Sequence, residues 1–66
     1  MRISINNKDF DCEPGSTLKQ VLETSGFDAT HAAVALDLEV IPREAWETTA
    51  PGEGSSIIII KAAQGG

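Results

Sequence analysis

The chain closes on Gly65 and Gly66, preceded by Ala62, Ala63 and Gln64, so none of its last five residues carries a bulky or charged side chain. A backbone without large side chains can enter a slot that other residues would block, and glycine reaches conformations closed to them. The group delivered into such a slot is the α-carboxylate of Gly66. A carboxylate is a poor electrophile at neutral pH, so its chemistry begins with activation, after which another atom can replace one of its oxygens. By itself a Gly-Gly ending reads as a frayed terminus. Joined to Ile57-Ile58-Ile59-Ile60 and a short spacer of small residues, it reads as a substrate tail. The β-branched isoleucines are stiff and suit a buried strand, which gives that tail a firm base.

Little else in the sequence offers chemistry. His31 is the single histidine and Cys12 the single cysteine. With them there is no Ser-His-Asp spacing and no Cys/His grouping that suits a metal. The ten Asp and Glu are scattered, which fits a solvated surface better than an acid–base pair. Cys12 cannot form an internal disulfide, and its alternation with Phe10 marks it as a small buried hydrophobe rather than a reactive thiol. Catalytic residues and resident cofactors are therefore not expected.

Composition narrows the partners. Ten acidic against five basic residues give a formal charge of -5, which opposes binding to a phosphate backbone and favours basic protein surfaces. The longest apolar run is the four isoleucines, far too short for a membrane span, and no signal peptide precedes Asn6. No nucleic-acid or membrane partner is expected, and the cytoplasm is the expected compartment. At 66 residues the chain is one small domain. A domain of this size buries only about 60% of its unfolded surface, which leaves little room for an enclosed active site.

The elements that must position the tail can be read in order. Met1, Ile3 and Ile5 alternate with polar residues as in a half-buried strand. Asn6-Asn7-Lys8-Asp9 supplies a turn, and Phe10 to Glu13 alternates again, which makes a β-hairpin. Pro14-Gly15 ends it, and Ser16 is the expected N-cap of a helix over 17–25. Leu18, Val21 and Leu22 form one apolar stripe on that helix. Gly26 reads as its C-terminal stop, with Phe27 packing back on Leu22. Ala32 to Leu36 is a third strand, Asp37-Leu38-Glu39 a tight turn, Val40-Ile41 a short strand, and Arg43 to Trp46 one helical turn after Pro42. A loop over 47–55 leads into the isoleucine strand.

This order predicts an α+β domain of β-grasp, ubiquitin-like type: a mixed sheet of four to five strands with one main helix across one face. Residues 1–61 form the expected β-grasp domain and 62–66 a flexible C-terminal tail, with Lys61 as hinge. Successive isoleucines alternate faces and one helix covers only one of them. Ile57 and Ile59 are thus assigned to the core, and Ile58 and Ile60 to the open face as a docking patch. The competing arrangement covers both faces, with loops or a second copy. Trp46 is read as a plug over the end of the core, an aromatic docking anchor being its other possible role. Arg43 is expected to pair with Glu44 or Glu47, or with an acidic partner.

Over essentially its whole length the chain resembles the ThiS family, the sulfur carriers of thiazole formation in thiamine biosynthesis. The likeness rests on a hairpin with Cys12-x-x-Gly15, a short helix, Val40-Ile41-Pro42-Arg43-Glu44-x-Trp46, a glycine-bearing loop, an aliphatic strand and Gly65-Gly66. Pro42 to Trp46 is its most specific part. Three stretches depart from the family's usual pattern. Asp37-Leu38-Glu39 stands where an Asn-Gly-like turn is usual, Gly52-Glu53-Gly54-Ser55 replaces an Asp-Gly-Asp-like loop, and Ala63-Gln64 is less apolar.

The resemblance implies a covalent carrier and co-substrate rather than an enzyme. A ThiF-like adenylating enzyme of the ubiquitin-activating type would use ATP and magnesium to turn Gly66 into an acyl adenylate. A sulfur donor, sulfide or a persulfide, would displace AMP and leave a thiocarboxylate, which thiazole synthase would consume. Gly65, Gln64, Ala63 and Ala62 would thread the partner's active site, spanning roughly 16 Å when extended. Sulfur transfer to molybdopterin or tRNA, protein modification through isopeptide bonds, and a binding module with an incidental Gly-Gly end are the other readings.

Overall fold

The computed structural model describes residues 1–61. The expected tail, Ala62 to Gly66, lies outside the described residues.

Two tight hairpins frame the sheet. Strands β1 (Arg2–Ile5) and β2 (Lys8–Asp11) are joined by Asn6 and Asn7 at φ 50° and 70°, the left-handed pair that a two-residue type I′ turn requires. Because the turn uses only these two residues, Lys8 already pairs with Ile5. The second strand therefore starts and ends earlier than the expected Phe10-to-Glu13 span. Ile3 and Ile5 are buried at 1% and 0% exposure, whereas Phe10 and Cys12 are only half-buried. Strand β2 is the edge of the sheet, so the helix covers it incompletely.

Helix α1 (Leu18–Ser25) starts one residue later than expected, with Thr17 rather than Ser16 as its N-cap. The Thr17 hydroxyl accepts from Gln20 N at 3.2 Å, and Gln20 Oε1 accepts from Thr17 N at 2.9 Å. This reciprocal box needs a Glu or Gln three residues after the cap, which only Thr17 has. Ser16 instead donates to the Glu13 carbonyl at 2.7 Å. Gly26 ends the helix at φ 82°, where a Cβ would meet the neighbouring carbonyl. Phe27 then packs on the core and meets Phe10 edge to face, ring centroids 5.6 Å apart.

Strands β3 (Ala32–Leu36) and β4 (Glu39–Ile41) form the second hairpin, and a single 3₁₀ turn spans Arg43–Ala45. Strand β5 (Ser56–Lys61) runs through the middle of the sheet, whose order is β2-β1-β5-β3-β4. It is parallel to β1 and antiparallel to β3. The core gathers Ile3, Ile5, Leu18, Val21, Leu22, Val34, Trp46 and Ile57, with α1 across one face. Burying one such side chain contributes about 1.5–3 kcal/mol. The expected split of the isoleucines is observed: Ile57 is fully buried and Ile59 packs on the core, while Ile58 is half-buried and Ile60 is 51% exposed.

Candidate docking face and strand end

The central strand leads toward Gly66, and its neighbours release it step by step. Strand β1 pairs with β5 only at Ser4–Ser56 and Ile5–Ile57. Where β1 stops, the side-chain oxygen of Asn6 accepts from the Ile59 N–H at 2.8 Å. Beyond that point β5 is held by β3 alone, through Ala33–Ile60 and Ala32–Lys61. Lys61, the expected hinge, is thus the last residue of the strand. Its ammonium lies 3.6 Å from Asp28 Oδ2 in the loop before β3. The Asp28 carboxyl is held below its ordinary range, first by the Thr30 N–H bonded to it at 2.9 Å and then by Lys61. Both side chains are exposed, so this contact marks the strand end more than it stabilises the fold.

The open face divides into a charged half and an apolar half. On β1 and β2, Arg2 Nε meets Asp11 Oδ1 at 2.7 Å, and Arg2 Nη1 lies 3.7 Å from Asp9. The hydrogen bond to Arg2 lowers the Asp11 pKa and raises that of Arg2. On the other half, Ile58 sits opposite Ala35, which is opposite Val40 on β4, and Ile60 sits opposite Ala33. The small alanines leave their neighbours exposed. Ile60 is 51%, Val40 62% and Leu38 94% exposed. Ile58 and Ile60 are therefore together on one apolar surface. Val40 extends it, and Leu38 is exposed in the turn at the end of the same hairpin; neither was expected there. The available signal was the alternation of Val40 with Ile41, since Ile41 packs against the core.

The Pro42-to-Trp46 motif lies on the opposite, helix-covered side and serves the fold. Trp46 is 6% exposed, with its indole N–H donating to the Ile41 carbonyl at 2.9 Å. It is the plug, as expected. Arg43 does not pair with Glu44 or Glu47. Its guanidinium stacks 4.5 Å from the Trp46 ring centroid and donates to the Ala29 carbonyl at 3.0 Å. A planar guanidinium gains from lying on an indole while bonding a carbonyl at its rim. Glu47 is taken instead by Lys19 at 2.9 Å, which lowers the Glu47 pKa and raises that of Lys19. Among the described residues, no three His, Cys, Asp or Glu side chains gather to hold a metal ion, and no helix is long and apolar enough to cross a membrane.

A five-stranded mixed sheet with β1 and β5 parallel at its centre, one helix across one face and a central last strand define a β-grasp domain of ubiquitin-like type. Within that class the chain belongs to the ThiS family, whose model matches residues 3–66. It is 29% identical over 66 residues to the sulfur carrier protein ThiS of Escherichia coli K12, covering the whole of both chains. Its fold matches the crystal structure of the thiamine biosynthesis protein ThiS from Geobacter metallireducens with a TM-score of 0.81, at 23% identity and full coverage of both chains. The solution structure of a thiamine biosynthesis protein from that organism matches with a TM-score of 0.71, over all of this chain and 88% of the other.

Proposed function

We propose that this protein is a sulfur carrier for thiazole formation in thiamine biosynthesis, with Gly66 as the atom-bearing end. The observation that carries the reading is the family match through residue 66, together with a central strand, Ser56–Lys61, that precedes Ala62 to Gly66 in the chain. In this reading the Gly66 carboxylate attacks the α-phosphorus of ATP on a ThiF-like adenylating enzyme. An acyl–oxygen–phosphorus linkage forms as the bond to the β-phosphate breaks and pyrophosphate leaves. Sulfide then attacks the acyl carbon and expels AMP, leaving a thiocarboxylate. A persulfide donor gives an acyl disulfide first, which a thiol cleaves to the same product. Thiazole synthase consumes the sulfur. The carrier supplies no transition-state group of its own.

Ala62, Ala63, Gln64 and Gly65 thread the enzyme's slot, and Ile58 and Ile60 rest on its surface. Exposed contiguous apolar side chains beside the strand that delivers the tail support that assignment. The test is the intact mass of untagged protein isolated from its own source. A fraction shifted by the difference between sulfur and oxygen, and lost on deletion of Gly66, is the expected result. Only the unmodified mass, even after incubation with ATP, magnesium, a sulfur donor and the adenylating enzyme, defeats the reading. Conjugates that survive a denaturing gel point instead to a protein modifier.

A further inference from the structure

The β3–β4 hairpin closes through Asp37 and Leu38 at φ 49° and 71°. A type I′ turn requires left-handed backbone at both central positions. Asp tolerates it, because its short side chain bonds locally. Asp37 is held across the sheet instead: its carboxylate accepts from Ser56 N at 2.9 Å, and its own N–H donates to the Ser56 carbonyl at 2.8 Å. Leu38 has no such compensation. In the left-handed region its Cβ crowds the next carbonyl, and at 94% exposure the side chain gains nothing by packing within the chain. A strained and exposed leucine is thus unfavourable to the isolated fold on two counts, which is the kind of outlier that points to function.

Its position suggests what that function is. Leu36 pairs with Ile57 and Ala32 with Lys61, so the turn lies at the end of the sheet away from the tail, about 13 Å along β5 at ~3.3 Å per residue. Ile58, Ile60 and Val40 occupy the open face between the two ends. Residues 62–66 span at most about 16–18 Å when extended. Any enzyme that takes Gly66 must therefore bring its surface close to Lys61, near enough to continue along this face to the turn.

We propose that Leu38 is the far anchor of the docking face, inserted into an apolar pocket on the enzyme that activates Gly66. This inference rests on the carrier reading above. The chain's formal charge of -5 favours a basic surface around that pocket. A second copy of the chain presents the same acidic turn and net charge, which disfavours self-association here.

The test measures ATP–pyrophosphate exchange by the adenylating enzyme of the same organism, with full-length wild type, Leu38→Gly and Leu38→Met, alongside thermal melts. Glycine adopts the turn without strain, so Leu38→Gly raises Tm. It also raises KM about ten-fold or more with kcat unchanged, as expected for loss of uniform binding by a buried anchor. Leu38→Met keeps an apolar side chain and holds KM within about three-fold of wild type. An unchanged KM in Leu38→Gly, or a lowered Tm, overturns the anchor and leaves the carrier reading standing. Absence of exchange with wild type defeats both. Concentration-dependent sedimentation of wild type that disappears in Leu38→Gly assigns the face to a second copy and also overturns the proposal.

Discussion

The side-chain oxygen of Asn6 accepts the backbone N–H of Ile59 at 2.8 Å, tying the first turn of the chain to its last strand. Asn6 N also donates to the Ile57 carbonyl at 2.9 Å. One residue thus turns the β1–β2 hairpin and continues the pairing of β5 past the end of β1. The strand that leads to Gly66 gains two further bonds on that side before it is left to β3.

Replacing Asn6 by glycine separates these roles, because glycine keeps the left-handed turn and removes the acceptor. Asn6→Gly is expected to lower stability by about 0.5–1 kcal/mol, the net value of one partly solvated hydrogen bond. The same change should speed hydrogen exchange of the Ile59 amide. Equal stability and an equally protected amide would show that the bond contributes nothing.

The isoleucine run gives a contrast within one strand. Ile57→Ala should cost about 2–5 kcal/mol, against a total of roughly 3–10 kcal/mol for a domain of this length. Ile60→Ala should cost about 1 kcal/mol or less, since its side chain is half in water. Urea denaturation followed by circular dichroism measures both. Similar losses at the two positions would contradict the division of faces.

Charge on the open face tests docking without disturbing the core. Ile60→Asp should shift stability by no more than about 1 kcal/mol, while lowering kcat/KM for adenylation at least about ten-fold if the patch is buried in the complex. Unaltered kinetics would move the interface elsewhere.

The Arg43–Trp46 stack makes a separate prediction on the helix side. Arg43→Lys keeps the charge but loses the planar fork, and should cost about 0.5–1.5 kcal/mol with a change in the emission of the single tryptophan. If the variant melts like wild type with an unchanged spectrum, the stack is incidental.

Acid should destabilise the fold through three exposed contacts. Asp11 beside Arg2, Glu47 beside Lys19, and Asp28 beside Thr30 and Lys61 all have pKa values below their ordinary 3.8 and 4.5. A carboxylate with a lowered pKa in the folded state contributes stability above its unfolded pKa, and that contribution disappears as pH falls through the folded value. Tm should therefore hold steady from neutrality and decline below about pH 4.5. The decline should be shallower in Asp11→Asn and in high salt, which screens exposed pairs. A profile unaffected by either change would place the acid sensitivity elsewhere.

Much of the fold is legible in the order of residues because its signals are local. The Leu18-Val21-Leu22 stripe marks the helix, Gly26 its end, and the parity of Ile57 to Ile60 the two faces of the last strand. The helix start moved by one residue because Ser16 and Thr17 are both good caps, and the choice fell to Gln20, three positions after Thr17. The second strand moved because its start depends on whether two or four residues make the turn.

What the sequence alone determined is the set of elements, their apolar faces, the family resemblance and the chemistry open to a Gly-Gly end. Each follows from spacing along the chain or from the types of neighbouring residues. The tertiary structure decided which strands lie side by side, and with them the partners of side chains remote in sequence. Asn6 and Ile59 stand 53 positions apart, and their bond exists because β5 inserts between β1 and β3. Arg43 finds Ala29 and Trp46 rather than the nearer acids because the 3₁₀ turn folds against the loop before β3. The exposure of Leu38 likewise depends on what the assembled sheet leaves uncovered. No local pattern reports these facts, since sheet order is set by the burial of all the apolar faces together.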